Sequence, residues 1–446
     1  MPDSPEAAAA ADIVRCLRAA GHGALLVGGC VRSLLLGEEP QDYDVATSAH
    51  PEEVQALFER TIPVGISFGV VIVRLRGVST EVATFRADGR YLDRRRPESV
   101  TFADVSADAR RRDFTVNALF LDPQSGEVTD LVGGVDDLRA KVIRTVGDPR
   151  DRFGEDALRL LRAVRFAARC GFSIEPGTWQ ALRDLAPAIT AVSPERIGEE
   201  ILKMLTGRNP GQAIRLLSES SLLDIVLPEV AAMRGVEQPP EFHPEGDVFT
   251  HTCLCLDHLP PNPSPALALG VLLHDVGKPP TFERAPDRIR FNGHDRAGER
   301  LTHEIGRRLR LPVHVIARAA DLVRQHMRFK DARQMRRATL KRFLFQDHFE
   351  DHLALQRCDD LGRLGDLELY DWVRDQRDAL RHEGETRLPP PLLSGQDLIA
   401  LGLEPGPQFR RILEAVQTEQ LEGRLSDAEG ARAFVRKWAG LAQKRA

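Results

Sequence analysis

The sequence predicts an α+β protein in which a strand-rich part is followed by a longer helical part. Short apolar runs separated by turn residues fill residues 24–145, with few helices between them. From about residue 150, apolar residues recur at helical spacing nearly to the end of the chain. With 446 residues, the chain is long enough for two or three domains.

The elements are predicted in order along the chain. A first helix covers 5–20 and ends at Gly21 and Gly23, because glycines interrupt helices. The next apolar runs predict strands and one short helix, at 24–27, 45–49, 70–75 and 80–85 for the strands and 31–36 for the helix. The run 156–169 predicts a helix with apolar groups on one face and arginines on another. Proline-rich stretches mark a hinge, an extended loop and the start of a last helical segment, at 239–240, 260–265 and 389–391.

Composition and charge describe an ordinary globular protein. Hydrophobic residues make up 42% of the chain and charged residues 28%, fractions typical of folded domains. The formal net charge is −5, so a surface that binds RNA must be a local basic patch. The N-terminus lacks the basic start of a signal peptide, and no stretch approaches the roughly 20 apolar residues of a membrane span. We therefore expect a cytoplasmic protein with no membrane partner.

The cysteines do not form a metal-binding pattern of their own. They are scattered along the chain, at positions 16, 30, 170, 253, 255 and 358. Cys253 and Cys255 are too closely spaced for the usual zinc knuckle, and no second pair answers them. We expect buried free thiols in a reducing compartment.

Glycines and carboxylates near the N-terminus suggest a site for phosphate and metal. Gly28 and Gly29 lie between a predicted strand and a helix, where backbone N–H groups can meet phosphate oxygens. Asp42 and Asp44 are two apart in an extended segment, so their carboxylates project to the same side. Two such carboxylates can hold two Mg²⁺ ions about 4 Å apart and so clamp an in-line phosphoryl displacement. Glu81, which opens a later strand, is either a third metal carboxylate or a surface glutamate.

These residues carry a family resemblance. The chain resembles the bacterial class II tRNA nucleotidyltransferases and poly(A) polymerases, whose first motif reads here as Gly28, Gly29, Val31, Arg32, Asp42 and Asp44. Three further motifs of that family stand at 111–118 (RRDFTVNA), at 130–138 (DLVGGVDDL) and at Glu155, Asp156 and Arg159. Motifs of this family follow one another closely from residue 25 to about residue 205. The resemblance implies a polymerase-β-like head that uses Mg²⁺ with ATP and CTP, and a tRNA partner.

The resemblance also implies roles for these motifs. The segment 111–118 is implied to hold the ribose and triphosphate, and Asp156 and Arg159 to read the incoming base. We expect these two to share a helix face, where the carboxylate accepts from an exocyclic amine and the guanidinium donates to ring or carbonyl acceptors. The expected nucleotide-binding residues are Gly28, Gly29, Arg32, Arg111, Arg112, Asp113, Asn117, Asp156, Arg159 and Arg162.

Two further features bear on the chemistry of the head, one on its metal or phosphate geometry and the other on which nucleotides are added. The family usually has aspartate after the arginine of its first motif, whereas this chain has Ser33, which puts the local metal or phosphate geometry in doubt. Residues 93–97 (DRRRP) resemble the flexible loop that helps the family switch from C to A addition. Its presence argues against an enzyme limited to CC and leaves CCA, A-only and poly(A) addition open.

Basic residues between positions 139 and 169 could supply the local positive field that RNA phosphates need. They are Arg139, Lys141, Arg144, Arg150, Arg152, Arg162, Arg165 and Arg169.

A second constellation occupies the C-terminal half and resembles the HD-domain metal phosphohydrolases. Its matches to the ligands of that family are His251, His274, Asp275 and Asp359, with His294 and His326 placed like ligands of a second metal. Imidazoles and carboxylates suit a divalent transition metal such as Mn²⁺, Fe or Ni²⁺, or Mg²⁺, and an open coordination position would activate water. Lys278 is a plausible phosphate contact.

We therefore expect a nucleotidyltransferase head at 1–145, a helical neck at 146–235 for base recognition and RNA binding, an HD domain at 236–385 and a helical tail at 386–446. The predicted function is template-independent addition of C, A or both to the 3′ end of tRNA, with phosphohydrolase activity in the HD domain. Two alternatives stay open: a poly(A) polymerase acting on other RNA 3′ ends, and an HD phosphohydrolase whose head only binds nucleotide or RNA. The segment 65–71 and the HD body favour tRNA over other RNA, and the oligomeric state is not indicated.

Overall fold

The computed structural model describes residues 2–65, 68–89, 99–241 and 243–442. The chain folds as two compact units. The first unit contains the residues up to 234 together with 304–313, and the second contains 235–303 and the residues from 314 onward.

The first unit begins with a mixed sheet. Its strands and those of a small hairpin are β1 Ala24–Val27, β2 Asp44–Thr47, β3 Thr61–Gly65, β4 Val70–Leu75, β5 Val78–Thr84, β6 Arg86–Asp88, β7 Val100–Phe102, β8 Leu119–Leu121 and β9 Val128–Asp130. The sheet has the order β3-β4-β5-β2-β1-β8-β9, and β6 pairs with β7. Strands β2 and β5 run parallel, whereas the other neighbours in the sheet are antiparallel.

Helices cover the sheet and then form the rest of the first unit. Those up to residue 140 are α1 Pro5–Ala19, α2 Gly29–Leu35, α3 Pro51–Leu57, α4 Val105–Arg111 and α5 Gly134–Ala140. Helix α1 begins where the Ser4 hydroxyl accepts from the Ala7 N–H at 3.2 Å, a usual N-cap. Its apolar face, with Ile13 and Leu17 fully buried, packs on β1 and β5.

From residue 142 the first unit is mainly helical. The helices are α6 Pro149–Glu155, α7 Leu158–Cys170, α8 Pro176–Leu185, α9 Pro194–Leu205, α10 Pro210–Glu219, α11 Leu223–Val226 and α12 Pro228–Ala231. A short parallel pair, β10 Val142–Ile143 with β11 Ser173–Ile174, brackets α6 and α7. Helices α9 and α10 both pack against α7, so α7 forms the centre of this part.

Helices also dominate residues 235–442. They are α13 Val248–Asp257, α14 Pro265–Leu273, α15 His294–Arg308, α16 Val313–Gln325, α17 Arg337–Leu344, α18 Phe349–Leu361, α19 Glu368–His382, α20 Gly395–Ala400, α21 Pro407–Leu421 and α22 Ala428–Ala442, with a small hairpin of β12 Glu283–Arg284 and β13 Ile289–Arg290. Phe329, Phe343 and Phe349 pack in one aromatic core. Leu398 and Ile412 belong to a separate core among the last three helices.

The predicted fold class is confirmed, and most predicted elements lie within one to three residues of the observed ones. The predicted helix over 156–169 is wrong at its start. Asp156 has an extended backbone (φ −143°, ψ 106°) and separates α6 from α7. Its carboxylate accepts from the Leu158 N–H, the first N–H of α7, at 3.0 Å, so it ends the old helix and satisfies a free donor at the start of the new one. The four predicted domain boundaries stay predictions.

Candidate active site and metal centre

A glycine turn leads from β1 into α2. Gly28 has φ +78°, a conformation that favours glycine, and its N–H donates to the Leu119 carbonyl at 3.2 Å. A Cβ at position 28 would lie 3.5 Å from Nη1 of Arg112. A side chain would therefore fit beside this guanidinium, and it is the positive φ that calls for glycine; α2 begins directly afterwards at Gly29.

Three carboxylates lie beside this turn. Asp44 is the first residue of β2 and pairs with Val27, while Asp42 precedes it and is exposed. The register of the parallel strands β2 and β5 sets Glu81 alongside Asp44. Burial raises the pKa of Asp44 to about 6, and the charges of Glu81 and Asp42 add to this, whereas Arg112 opposes it. The excess of negative charge and the oxygen donors fit Mg²⁺.

Asp113 of the second motif is a buried hub. Nε and Nη2 of Arg162 lie 2.8 and 2.6 Å from its Oδ2. Its Oδ1 accepts from the Phe114 N–H at 2.8 Å and from Nδ2 of Asn117 at 3.2 Å. Burial alone would raise the pKa of Asp113, but the charge and hydrogen bonds of Arg162 hold it at about 2. Arg32 donates in turn to Oδ1 of Asn117, so the first two motifs meet here.

Arginines surround the Phe166 ring. The guanidinium carbons of Arg32, Arg162 and Arg165 lie 5.1, 5.2 and 4.3 Å from its centroid. Arg32 is only 3% exposed, and desolvation by burial lowers its pKa. Guanidinium groups bind phosphate oxygens through paired hydrogen bonds. Arg162 pairs with Asp113 and Arg165 pairs with Glu200, so within this group only Arg32 has no carboxylate partner among the described residues.

Arg111 and Arg112 share a carboxylate that the sequence analysis did not select. Nε of each arginine donates to Asp108, at 2.8 and 3.0 Å. Asp108 is 1% exposed, and although burial acts to raise its pKa, Arg112 and Arg111 lower it. Its position three and four residues before the arginines, on α4, is the spacing that could have revealed it.

The two predicted base-reading residues do not share a helix face, since Asp156 lies in the break before α7. Its carboxylate accepts from both terminal nitrogens of Arg196, at 3.2 and 2.7 Å. Arg159 donates to the carbonyls of Arg152 and Arg111, at 2.9 and 3.3 Å, and pairs with Glu155. Arg196 lies in the last matched motif segment but was given no role there, and these two hydrogen bonds fix the orientation of Asp156.

The predicted basic surface is only partly described. The loop motif 93–97 lies outside the described residues, as do positions 66 and 67 of the segment 65–71. Ser33 is buried in α2, 7% exposed. Of the eight basic neck residues, six form ion pairs, namely Arg139, Arg144, Arg150, Arg152, Arg162 and Arg165. Their charge is therefore largely compensated within the unit.

In the second unit the structure brings the predicted HD ligands together around Asp275. On one side, His251 and His274 lie with their Nε2 atoms 3.3 Å apart, and their Nε2 atoms are 3.8 and 3.3 Å from Oδ2 of Asp275. On the other side, Nε2 of His294 and Nε2 of His326 are 3.7 and 3.8 Å from its Oδ1. Asp275 thus presents one oxygen to each histidine pair, as a carboxylate that bridges two metals does.

Asp359 and Cys255 complete the first of these groups. Oδ1 of Asp359 lies 3.1 Å from Nε2 of His251, and Sγ of Cys255 lies 3.4 Å from the same nitrogen. In the described part of the chain, the close groups of possible metal ligands all belong to this region of the second unit. Cys255 was not predicted as a ligand, although it lies one helical turn after His251.

Backbone carbonyls orient three of the histidines. Nδ1 of His274, His294 and His326 lies 2.8, 2.8 and 2.7 Å from the carbonyl oxygen three residues earlier. A carbonyl only accepts, so Nδ1 carries the proton and Nε2 keeps its lone pair. Burial lowers the pKa of His326 to about 3, which keeps that imidazole in the neutral form that metals need.

The centre opens into a cavity of about 780 Å³ with a basic lining. Lys278 lies in it, with Nζ 2.6 Å from Oδ2 of Asp275 and 2.6 Å from Oε1 of Gln238. The other basic residues of the lining are Arg288, Arg290, Lys330 and Arg363. Such a cavity suits an anionic ligand next to the carboxylate and imidazole groups.

Comparison with known proteins matches domains to three regions of the chain. Residues 24–144 match the poly A polymerase head domain, and 171–234 match a probable RNA and SrmB-binding site of polymerase A. Residues 250–359 match the HD domain. The chain therefore joins a nucleotidyltransferase head to an HD domain. These matches confirm the resemblance that the motifs predicted.

The similar proteins include CCA-adding enzymes. That of Anoxybacillus flavithermus is 47% identical over 226 residues, which is 50% of this chain and 56% of the relative. That of Geobacillus stearothermophilus is 47% identical over 211 residues, 47% of this chain and 52% of the relative. The chain thus matches about half the length of these curated relatives.

A solved structure matches along the whole chain. The CCA-adding enzyme of Bacillus stearothermophilus in complex with CTP is 27% identical, with a TM-score of 0.77, over 99% of this chain and 100% of that one. The Thermotoga maritima CCA-adding enzyme complexed with tRNA shares the fold at 20% identity, with a TM-score of 0.58. No helix among the described residues is long and apolar enough to cross a membrane.

Proposed function

We propose that this chain adds C, A or both to the 3′ end of tRNA. The observation that carries the proposal is the set of carboxylates at Asp42, Asp44 and Glu81 beside the glycine turn and Arg112. The CCA-adding relatives support tRNA as the acceptor and CTP and ATP as donors. A head that only stored nucleotide would not need an acidic cluster next to its phosphate-binding arginines.

In this proposal Asp42 and Asp44 hold two Mg²⁺ ions, with Glu81 as a further oxygen donor. Such ions, when bound, activate the primer hydroxyl and neutralise the leaving pyrophosphate. The backbone at Gly28 and Gly29 lets the triphosphate approach α2. Arg112 lies beside Gly28, and its positive charge lowers the pKa of Asp44, so it is near both the glycine turn and the carboxylates.

The remaining expected residues divide between phosphate and base. Arg32 and Arg162 present guanidinium groups around Phe166 for the triphosphate, and both connect to Asp113, Arg32 by way of Asn117. Arg111 and Arg112 both donate to Asp108, which holds the two guanidinium groups side by side near the phosphates. Asp156 and Arg159 read the base, and Arg196 holds Asp156 in its acceptor orientation.

One assay tests the proposal against its alternatives. Purified protein is incubated with Mg²⁺, labelled CTP or ATP, and tRNA ending before C, CC or CCA. Extension of these tRNAs and not of an unrelated RNA is expected. Equal extension of any RNA 3′ end with ATP indicates a poly(A) polymerase. Incorporation of neither nucleotide leaves a head that only binds nucleotide or RNA.

We further propose that the HD centre hydrolyses phosphoesters, with 2′,3′-cyclic phosphate ends as the first substrate to test. The bridging position of Asp275 and the basic cavity favour this second activity. A cyclic phosphate blocks a 3′ end, so its removal is chemically useful to an end-extending enzyme. The residues that would hold the metals are His251, His274, Asp275, His294, His326 and Asp359.

The HD metal is either a divalent transition metal or Mg²⁺, and bound metal would supply an activated water. The chain itself would hold the phosphate at Lys278 and the surrounding arginines. Hydrolysis assays with Mn²⁺, Ni²⁺ and Mg²⁺ in turn, together with metal analysis, test this. A protein that binds no metal and cleaves no phosphoester contradicts the proposal and makes this region a structural body.

A further inference from the structure

Glu245 lies directly behind the HD centre, in the segment that leads into α13. It precedes residues 250–359, which match the HD domain, and no motif gives it a role. Its side chain is 7% exposed, and its Oε1 lies 2.8 Å from Nδ1 of His251. A buried carboxylate thus contacts an expected metal ligand through the ring nitrogen that does not face the ligand cluster.

His251 is held differently from the other three ligand histidines. Backbone carbonyls orient the rings of His274, His294 and His326, whereas His251 meets a side-chain carboxylate. An ionised carboxylate only accepts, so Nδ1 of His251 donates and Nε2 keeps its lone pair for a metal. A carboxylate behind a ligand imidazole also raises the basicity of the ligand, and its loss typically costs about 10–100-fold in metal affinity.

A second carboxylate competes for the proton of this ring. Oδ1 of Asp359 lies 3.1 Å from Nε2 of His251, close enough to accept a proton from that nitrogen. A neutral imidazole with its proton on Nε2 has no lone pair there for a metal. Glu245 favours the tautomer that is protonated on Nδ1, so it keeps Nε2 available.

The local chain places Glu245 beside the helix that it precedes. The Gly246 N–H donates to the His243 carbonyl at 3.4 Å, and Gly246 has φ +125°, a conformation that favours glycine. Directly after this turn Asp247 caps α13, because its Oδ1 accepts from the Thr250 N–H at 2.8 Å. The turn and the cap together bring the Glu245 side chain back onto the first turn of α13.

Two hydrogen bonds fix the carboxylate itself. Besides the bond from His251, Oε1 accepts from Nδ1 of His243 at 2.9 Å, and the two imidazole rings lie nearly perpendicular with centroids 4.9 Å apart. Oε2 of Glu245 is buried and has no hydrogen-bond partner among the described residues. An unpaired buried oxygen costs stability, so the contact with His251 explains this carboxylate better than a contribution to folding does.

We propose that Glu245 is a positioning residue of the HD centre, which holds the Nδ1–H of His251 and thereby directs Nε2 towards the metal position beside Asp359. Its effect is confined to this position, because the rings of His294 and His326 take their orientation from their own carbonyls. Glu245 therefore sets the affinity of one of the two metal positions, an inference that rests on the proposed HD centre.

Titration of the full chain with Zn²⁺ tests this position directly. In an Asp44→Ala background, which weakens metal binding by the head, the Zn²⁺ equivalents of the second unit are measured by competition with a chelator. Glu245→Ala is expected to weaken one equivalent about 10- to 100-fold and to leave the other within about threefold of wild type. Glu245→Gln keeps a carbonyl acceptor for Nδ1 and is expected to stay within about fivefold.

The matched control is Glu237, a carboxylate of the same segment that is 63% exposed and pairs with Arg284 at 2.6 Å. Glu237→Ala should leave both equivalents within about twofold of wild type. A folding defect in this segment would instead weaken both equivalents together, because Asp275 serves both positions.

Nitrogen NMR of protein labelled in its histidines and loaded with Zn²⁺ provides a second measurement. In the wild type we expect His251 with a proton on Nδ1 and none on Nε2. In Glu245→Ala the slowly exchanging Nδ1 proton should be lost. If Glu245→Ala does not fold, the wild-type spectrum decides by itself.

The outcomes separate the two proposals. Wild-type protein that binds Zn²⁺ in the second unit, with both equivalents or neither weakened in Glu245→Ala, overturns the role of Glu245 and leaves the HD centre standing. The same holds if Zn²⁺-loaded His251 carries its proton on Nε2, or if Glu245→Gln is as weak as Glu245→Ala. Protein that binds no Zn²⁺ in the second unit overturns the centre as well.

Discussion

Arg162 on α7 binds Asp113 through two nitrogens, with Nε at 2.8 Å and Nη2 at 2.6 Å from the same carboxylate oxygen. This ion pair fastens the second motif to the helix that follows the base-reading segment. Because Asp113 is buried and its other oxygen serves Asn117 and the Phe114 N–H, its charge matters for both stability and the site.

We expect Asp113→Asn to lower stability and to flatten its dependence on pH. The folded pKa of Asp113, about 2, is below its ordinary value. Its contribution is therefore fully present above the unfolded pKa near 4 and is lost as pH falls through 2. A shift of this size corresponds to about 2 kcal/mol at neutral pH. Urea unfolding at pH 7 and at pH 3 measures it.

The control for this measurement is Asp136→Asn, whose exposed carboxylate pairs with exposed Arg139. It is expected to change the free energy of unfolding by less than about 0.5 kcal/mol. An Asp113 variant that unfolds like the wild type at both pH values contradicts the prediction.

The carboxylates at the glycine turn are predicted to be essential for nucleotide addition. Asp42→Ala or Asp44→Ala should reduce incorporation roughly 10³-fold or more, because the two-metal clamp is lost. Folding and any phosphoester hydrolysis should persist. Glu39→Gln removes a nearby exposed carboxylate outside this cluster and should keep near-wild-type incorporation. More than a tenth of wild-type incorporation in either aspartate variant would rule out the assigned role.

Replacing both Asp156 and Arg159 with alanine is predicted to relax discrimination against UTP and GTP. Mismatched bases would no longer leave buried partners unpaired, a cost of about 1–3 kcal/mol for each contact. Arg196→Ala should relax it in the same direction but less, because Asp156 remains while its orientation is freed. Incorporation ratios for the four nucleotides provide the readout. An equal loss for all four indicates a purely structural role.

The HD centre is predicted to act independently of the head. The double variant His274→Ala/Asp275→Ala should lose bound metal and phosphoester hydrolysis, since Asp275 serves both histidine pairs. Nucleotide addition to tRNA should stay within about twofold of wild type. His314→Ala, which changes a histidine outside the ligand cluster, is the matched control. Loss of nucleotide addition in the double variant would mean that the two activities are coupled.

The sequence predicted the elements whose signals are local. Gly28 before a helix and the short strand over 24–27 were found because turn residues and apolar runs need no distant partner. The break at Asp156 was missed because the apolar residues after it keep helical spacing whether the helix begins at residue 156 or at residue 158. Asp108 and Arg196 were missed because their importance comes from partners that only the fold brings close.

The HD ligands were predicted as a set, but their arrangement was not. The resemblance to HD-domain phosphohydrolases implied His251, His274 and Asp359 as ligands, but it did not show that Asp275 divides its two oxygens between histidine pairs. Cys255 was not selected because a lone cysteine on an apolar helix is usually a buried core residue. Only its distance to His251 distinguishes it from the other buried thiols.

The carbonyls behind His274, His294 and His326 settle each ring's tautomer before any ion arrives. No proton has to migrate within these imidazoles during loading, so an incoming ion has only to shed water and displace the Lys278 ammonium from Asp275. The rate of metal capture should therefore depend on dehydration of the ion and on that ammonium.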